Sequence, residues 1–471
     1  MYKRQGTLGI KTVLIPAGQR NSPNETDGSL VDVVALGKKN GVDVREVNDV
    51  YEAYEAFTGK PLPKLPSGGN VKLDETTYQR LKAKADEALA NVKQSLTKLA
   101  AVDPAITNLL TDLSDQANQY ASRAQNLETQ GLQAGAFSYA WQASAYANAT
   151  VSVAENLQVL FTQGVDAYFT RVLAGEAIQD KTFALLDTLK TFNPKTLADA
   201  SVLMTTYGSA LDAYTVGQFG ANQLAAVKAN AANMSLQDLV GQVLVPSVYF
   251  ELAGSAIDYS KAIFDVGRDL DGPAIKSTVK LGTVADFFRK ASDANFQSFK
   301  TTVVQEYANQ LGVNEAGMLN RFADFDTDVA LSLSERSTIE GLTKYIGDGE
   351  ANAEYAQLGF AVSNFARNAG LVAKYYSNGQ LDKNGAVVGV RSDAALTGGL
   401  ELGKSQLAAA IGVLSANKTS PALLVAGYEG AGVLREGNVD DKFSALTTYW
   451  ENLVASRVLA YLGGFEAQGL K

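Results

Sequence analysis

The chain contains neither histidine nor cysteine. That removes disulfides, His- or Cys-based zinc sites and every triad that uses histidine as its base. Chemistry within these residues would rest on carboxylates, lysine, tyrosine, or a Ser or Thr nucleophile with a different base. Asp324, Asp326 and Asp328 alternate in Phe322-Ala323-Asp324-Phe325-Asp326-Thr327-Asp328. Hard oxygen ligands of that kind suit calcium, but the glycine and terminal glutamate of an EF-hand are missing, and a helix cap or solvated loop accounts for them better. Asp269, Asp271 and Gly272 read as a turn. Asp440-Asp441 reads as the acidic start of a last helix, where carboxylates meet the positive end of the dipole. Ser67-Gly68-Gly69-Asn70 lacks the Gly-Lys-Ser/Thr ending of a phosphate loop, so ATP binding is not expected. Tyr139, Trp141 and Tyr146, and Tyr449-Trp450, fall on helical stripes; core packing is the expected role and a peptide-binding groove the alternative. Asn24, Asn148, Asn233 and Asn417 fit the glycosylation acceptor pattern, near the frequency chance gives in an Asn- and Thr-rich chain. No paired carboxylates stand out from ordinary helix surfaces. The residues therefore define no catalytic, cofactor-binding or metal-binding set.

The elements that would position any site follow from composition and pattern. With 471 residues, 46% of them hydrophobic, the chain can bury two to four cores. The formal net charge is -9, and no basic run is longer than that in Tyr2-Lys3-Arg4, so nucleic acid is not an expected partner. No stretch reads as membrane-spanning: the most apolar window, residues 239–257, is interrupted by Gln242, Ser247 and Glu251 and broken by Pro246. The basic start leads into Gly6-Thr7-Leu8-Gly9 rather than a sustained apolar core, so no signal peptide is expected. Met1-Tyr2-Lys3-Arg4-Gln5 resembles a translated adapter and is set aside.

The first sixty residues read as strand, helix, strand, helix. Ile10 to Pro16 is a β-branched run ended by proline; residues 22–28 are polar loop; residues 29–39 form a helix closed by Asn40-Gly41; Val42 to Val47 alternates; and Asn48 or Asp49 caps a short helix stopped at Gly59. Three prolines and three glycines between Gly59 and Asn70 mark a linker, placed at residues 61–73. From Asp74 the pattern is nearly all helix. Leu81, Ala85, Leu89, Val92, Leu96 and Leu99 form one apolar stripe, Asp103-Pro104 opens a second helix through Leu127, and these two are expected to pair as an antiparallel hairpin. Breaks are expected near Gly135, Asn193-Pro194, Asp271-Gly272-Pro273, Gly347-Asp348-Gly349 and Ser420-Pro421, with a small hairpin about Asn384-Gly385. The expected class is mainly α, with long antiparallel helical hairpins or bundles over residues 74–272 and 273–471, preceded by a small α/β remnant in residues 1–60.

Two groups of segments carry a family resemblance. Gly9-Ile10-Lys11-Thr12-Val13-Leu14-Ile15-Pro16 with Gly18-Gln19, then Val44-Arg45-Glu46-Val47 and Tyr51-Glu52-Ala53-Tyr54-Glu55-Ala56-Phe57-Thr58-Gly59, resemble the end of the proteolytic domain in archaeal Lon-like serine proteases. Ala136-Phe137-Ser138-Tyr139-Ala140-Trp141-Gln142-Ala143-Ser144, Arg435 to Phe443, Tyr449-Trp450 and Arg457 to Gly464 are similar to segments of the same proteins. The resemblance implies a C-terminal fragment of a Ser–Lys dyad endopeptidase, whose substrate is protein or peptide and whose helical region positions substrate or neighbouring subunits. It implies a lysine held neutral by desolvation, taking the serine proton while backbone donors hold the oxyanion. Both family positions fall before residue 6. Lys3 lies too close to the strand and Lys11 belongs to it, so no catalytic residue is carried over. The resemblance favours an exported or membrane-attached protein, anchored by an N-terminal segment absent here, and allows a homo-oligomer. The competing expectation is a non-enzymatic helical scaffold or binding protein.

Overall fold

The computed structural model describes residues 11–24, 29–61, 71–173, 177–276, 279–347 and 349–465. The residues before Lys11, most of the Pro/Gly linker with Ser67 to Asn70, and Asp348 lie outside them. The chain divides into two units, Met1–Pro66 and Ser67–Lys471.

In the first unit β1 (Thr12–Pro16) pairs in parallel with β4 (Asp43–Val47), Val13 beside Val44 and Ile15 beside Glu46. Between them β2 (Asn21–Pro23) pairs antiparallel with β3 (Leu30–Asp32), and α1 (Val33–Lys39) follows. The helix expected from residue 29 thus starts four residues late. Asp32 is the reason: its carboxylate accepts the Val34 and Ala35 N–H groups, which ends the strand and opens the helix at one residue. Part of the expected polar loop is likewise strand. α2 (Val50–Thr58) is capped by Asp49, which accepts the Glu52 N–H, and closed by Gly59 in the left-handed region, as its sequence implies. Ile15, Val33, Val42 and Val44 form the small core.

The second unit is mostly helical among its described residues. Its first helices are α3 (Glu75–Leu99), α4 (Pro104–Leu109), α5 (Thr111–Thr129), α6 (Gln133–Gln163), α7 (Val165–Leu173) and α8 (Ala177–Thr191). The long α9 (Leu197–Asn230) and α10 (Leu236–Gly267) lie side by side at its centre. Then come α11 (Leu281–Phe299), a π-helical turn at Lys300–Val304, α12 (Gln305–Leu311), α13 (Glu315–Phe325), α14 (Thr327–Ile346) and α15 (Ala353–Leu371). A second π-helical stretch, Val372–Asn378, leads into the hairpin β5 (Gly379–Leu381) and β6 (Val387–Val390), turned at Gly385. α16 (Asp393–Ala416), α17 (Ala422–Leu434) and α18 (Val439–Gly463) complete the unit. The protein is mainly α, as its periodicity predicts.

Five expectations are corrected. Asp103 caps and Pro104 opens a helix, but that helix breaks at Leu110 into α4 and α5. The stripe of α3 and the face of α5 both pack along α6 and touch each other little, so the antiparallel pair is one part of a three-helix arrangement. The break expected at Gly135 lies at Gly131, in the left-handed region; Gly135 sits inside α6, where a Cβ would lie 2.9 Å from the Glu429 Cβ. Pro246 does not break its helix. α10 runs through it, and α9 packs so closely there that a Cβ on Gly220 would lie 2.9 Å from the Pro246 carbonyl oxygen. By length and composition α10 is apolar enough to cross a membrane, against the sequence expectation, and only part of that stretch is buried.

Residues on both sides of Gly272 share one core, which includes Leu203, Phe264, Phe360 and Tyr449. The crossing segment is tied to the start of α9: Thr196 bridges to Ala274, and the Asp269 N–H donates to Asp199 at 2.9 Å. The stretches 74–272 and 273–471 are therefore runs of chain within one body.

Candidate functional site

The sequence candidates do not converge. Asp326 is buried and caps α14, accepting the Asp328 N–H at 2.9 Å, the Lys374 ammonium at 2.9 Å and the Tyr375 hydroxyl. Asp324 and Asp328 are exposed. Among the described residues no three carboxylates come close enough to hold a metal ion. Asp440 and Asp441 open α18, where Asn438 and Asp441 form a reciprocal capping box. Tyr139 and Tyr449 are core residues; Tyr139 stacks near Tyr120, and Tyr449 packs on Gly403. Trp141 and Trp450 are half-buried. Asn148 lies within α6 and accepts the Ser95 hydroxyl at 2.7 Å.

The densest chemistry lies elsewhere, around one arginine. Arg367 projects from α15, buried, with its Nη1 donating to Glu335 of α14 at 2.6 Å and its Nη2 donating to Asp212 of α9. Ser363, one turn earlier, donates to both Asp212 oxygens at 3.1 Å. Asp328 stands 4.0 Å from the guanidinium. Burial alone would depress the Arg367 guanidinium; Asp212 and Glu335 instead raise it, so the group stays charged. Burial also raises the Glu335 carboxyl, whose second oxygen has no partner. A ladder of neutral groups, Asn368 to Ser292, Asn364 and Ser332, packs alongside.

Asp212 is also the rim of a cavity of about 320 Å³ enclosed by α6, α9, α10, α15, α17 and α18. Small residues let those helices close on it, among them Gly208, Gly359 and Gly427. Ser209, Ser363, Thr448 and Asn452 supply hydroxyl and amide groups to its wall. Glu451 of α18 faces the same space. Burial pushes its carboxyl up to about 7; the nearby Asp212 charge adds to the rise and Arg367 opposes it. Glu451 makes no hydrogen bond or ion pair among the described residues. Two carboxylates in unlike settings thus share one space, one bonded to arginine and one unpartnered. Such a pair can hold a cation or exchange a proton.

These residues escaped sequence reasoning, although their spacing carries a signal. Glu335 falls in step with Leu331, Thr338, Leu342 and Ile346, and Arg367 with Phe360, Ser363 and Leu371, each on a buried face. A charge on an apolar stripe is the readable mark of such a cluster.

A second groove, about 510 Å³, lies between α11, α14 and α15, with Arg289, Arg336, Asp286 and Glu340 at its rim and Phe360 and Ala361 at its floor. No family model, curated protein or solved structure matches the chain.

Proposed function

We propose that the chain is part of a Lon-like serine endopeptidase, hydrolysing peptide bonds with a Ser–Lys dyad that these residues do not include. The observation that supports this most is the first unit. Its order is β1, β2, β3, α1, β4, α2, with β1 and β4 in parallel register. Parallel strands are normally buried on both faces within larger sheets, and an isolated pair over four apolar side chains is too small to be stable alone. Such a pair fits the flank of a larger α/β domain, the place the segment resemblance assigns it. In this reading the helical unit positions the protein or peptide substrate or neighbouring subunits, and an N-terminal segment accounts for export or membrane attachment.

The test is the protein from the continuous reading frame through Gly6, assayed on a fluorogenic peptide. Cleavage that disappears on replacing an upstream serine in a small-residue turn, and weakens on deleting residues 67–471, supports the proposal. A frame that genuinely starts at Met1, with no cleavage by the product, overturns it. The second reading is a non-enzymatic helical scaffold or binding protein. It is favoured by the helical unit having its own continuous core and its own cavity.

A further inference from the structure

We propose that the cavity enclosed by α6, α9, α10, α15, α17 and α18 is a binding site for a small organic cation, its ammonium group held between the carboxylates of Glu451 and Asp212. The proposal stands apart from the protease reading, because it rests on the helical unit alone.

Charge balance is the first argument. Arg367 faces Asp212, Glu335, Asp328 and Glu451, and its guanidinium is already engaged by Asp212 and Glu335. On the wall of the cavity itself, the charged residues among those described are Asp212 and Glu451. Glu451 is half-buried with no donor among the described residues, a partial loss of water that a positively charged donor in the cavity offsets. An anion would meet no free cation there.

Size and wall chemistry are the second. The volume of about 320 Å³ equals the liquid share of roughly ten waters and lies within the range of small-ligand pockets. A bare metal ion would leave most of it empty. Apolar Phe137, Ile263 and Val362 and the rings of Tyr139 and Tyr259 suit the methylene chain of an amine. Ser209, Thr448 and Asn452 offer oxygen acceptors for its remaining N–H groups. The site is also reachable: the Asp212 side chain keeps 40% of its surface accessible although it bonds a buried arginine.

An alkyl ammonium has two sources, a free diamine or the lysine side chain of a peptide. Isothermal titration calorimetry on the full chain, at about pH 8 where Glu451 is ionised, separates them. The probes are diaminobutane, a short acetylated and amidated peptide with one central lysine, and the same peptide with norleucine. At least one ammonium probe should bind with millimolar affinity or better, and the norleucine peptide should not. Glu451→Gln should weaken that binding by about 10- to 100-fold. Gly430→Leu is the blocking variant. Gly430 lines the cavity, and a Cβ built on it meets nothing within 4 Å, so the added side chain fills free space without disturbing the helix. It should abolish binding while its unfolding temperature stays at or above that of the parent. If diaminobutane alone binds, the ligand is a free amine; if the lysine peptide alone binds, it is a basic side chain. The proposal is overturned if neither ammonium probe binds, if norleucine binds as well as lysine, or if both variants bind as the parent does.

Discussion

Replacing Glu451 by glutamine tests the electrostatics of the central cavity without altering its shape. Burial moves the Glu451 carboxyl from 4.5 to about 7. Between those values the native state keeps a proton that the unfolded chain has released. Stability is therefore fully present below about pH 4.5 and falls as pH rises through about 7, by up to ~1.4 kcal/mol per pH unit for this one group. The whole span corresponds to roughly 3 kcal/mol, reduced to about 2 kcal/mol because Glu451 is only partly buried and the cavity admits solvent. Glutamine mimics the protonated acid at every pH. The variant should match the parent near pH 4.5 and exceed it by about 2 kcal/mol near pH 8. Urea unfolding followed by far-ultraviolet circular dichroism, on parent and variant across that range, reads the difference as a shift in midpoint. A difference that does not vary with pH, or a variant less stable than the parent near pH 8, would refute the reasoning, since each means that Glu451 is ionised and satisfied in the native state.

Three further outcomes follow from the same contacts. Arg367→Met should cost about 3–5 kcal/mol near neutral pH, because it leaves the fully buried Glu335 without its guanidinium; adding Glu335→Gln should recover part of the loss in the same urea assay. Glu429→Ala should cost about 1 kcal/mol: Glu429 accepts the Gly135 N–H at 2.7 Å from another helix, and α6 has no side-chain cap of its own. Gly359→Ala should cost about 1–3 kcal/mol by overpacking, since its Cβ would meet the Met204 carbonyl oxygen and lie 3.0 Å from the Tyr207 Cβ; thermal unfolding of the variant measures it.

What could be read from the residues beforehand divides by the range of the signal. Asp49 with Gly59, Asp103 with Pro104, and Asn384-Gly385 are marks in which cap or turn chemistry sits within a few residues of the element it ends, and each element lies where its mark puts it. β3 was hidden because three residues suffice for a strand when Asp32 closes it as a cap. Pro246 misled because proline is a local signal, while the helix around it packs against another so closely that a Cβ on Gly220 would lie 2.9 Å from the Pro246 carbonyl oxygen.

The cavity was hidden for a further reason. α9 buries residues all around its circumference, from Leu197 through Leu224, so its apolar residues define no stripe and give no phase by which Asp212 could be assigned to an inner face. Its partner Arg367 lies 155 residues away, beyond any local pattern. Glu335 and Arg367, in contrast, lie on helices whose buried faces can be phased, and each occupies a position where its neighbours are apolar or small. A folded chain tolerates a charge at such a position only when another element brings the opposite charge. Two such residues of opposite sign on neighbouring helices therefore predict each other. That inference needs no fold, only the helical phase of Leu331 to Ile346 and of Phe360 to Leu371, and it leads to α14, α15 and the carboxylates gathered around them.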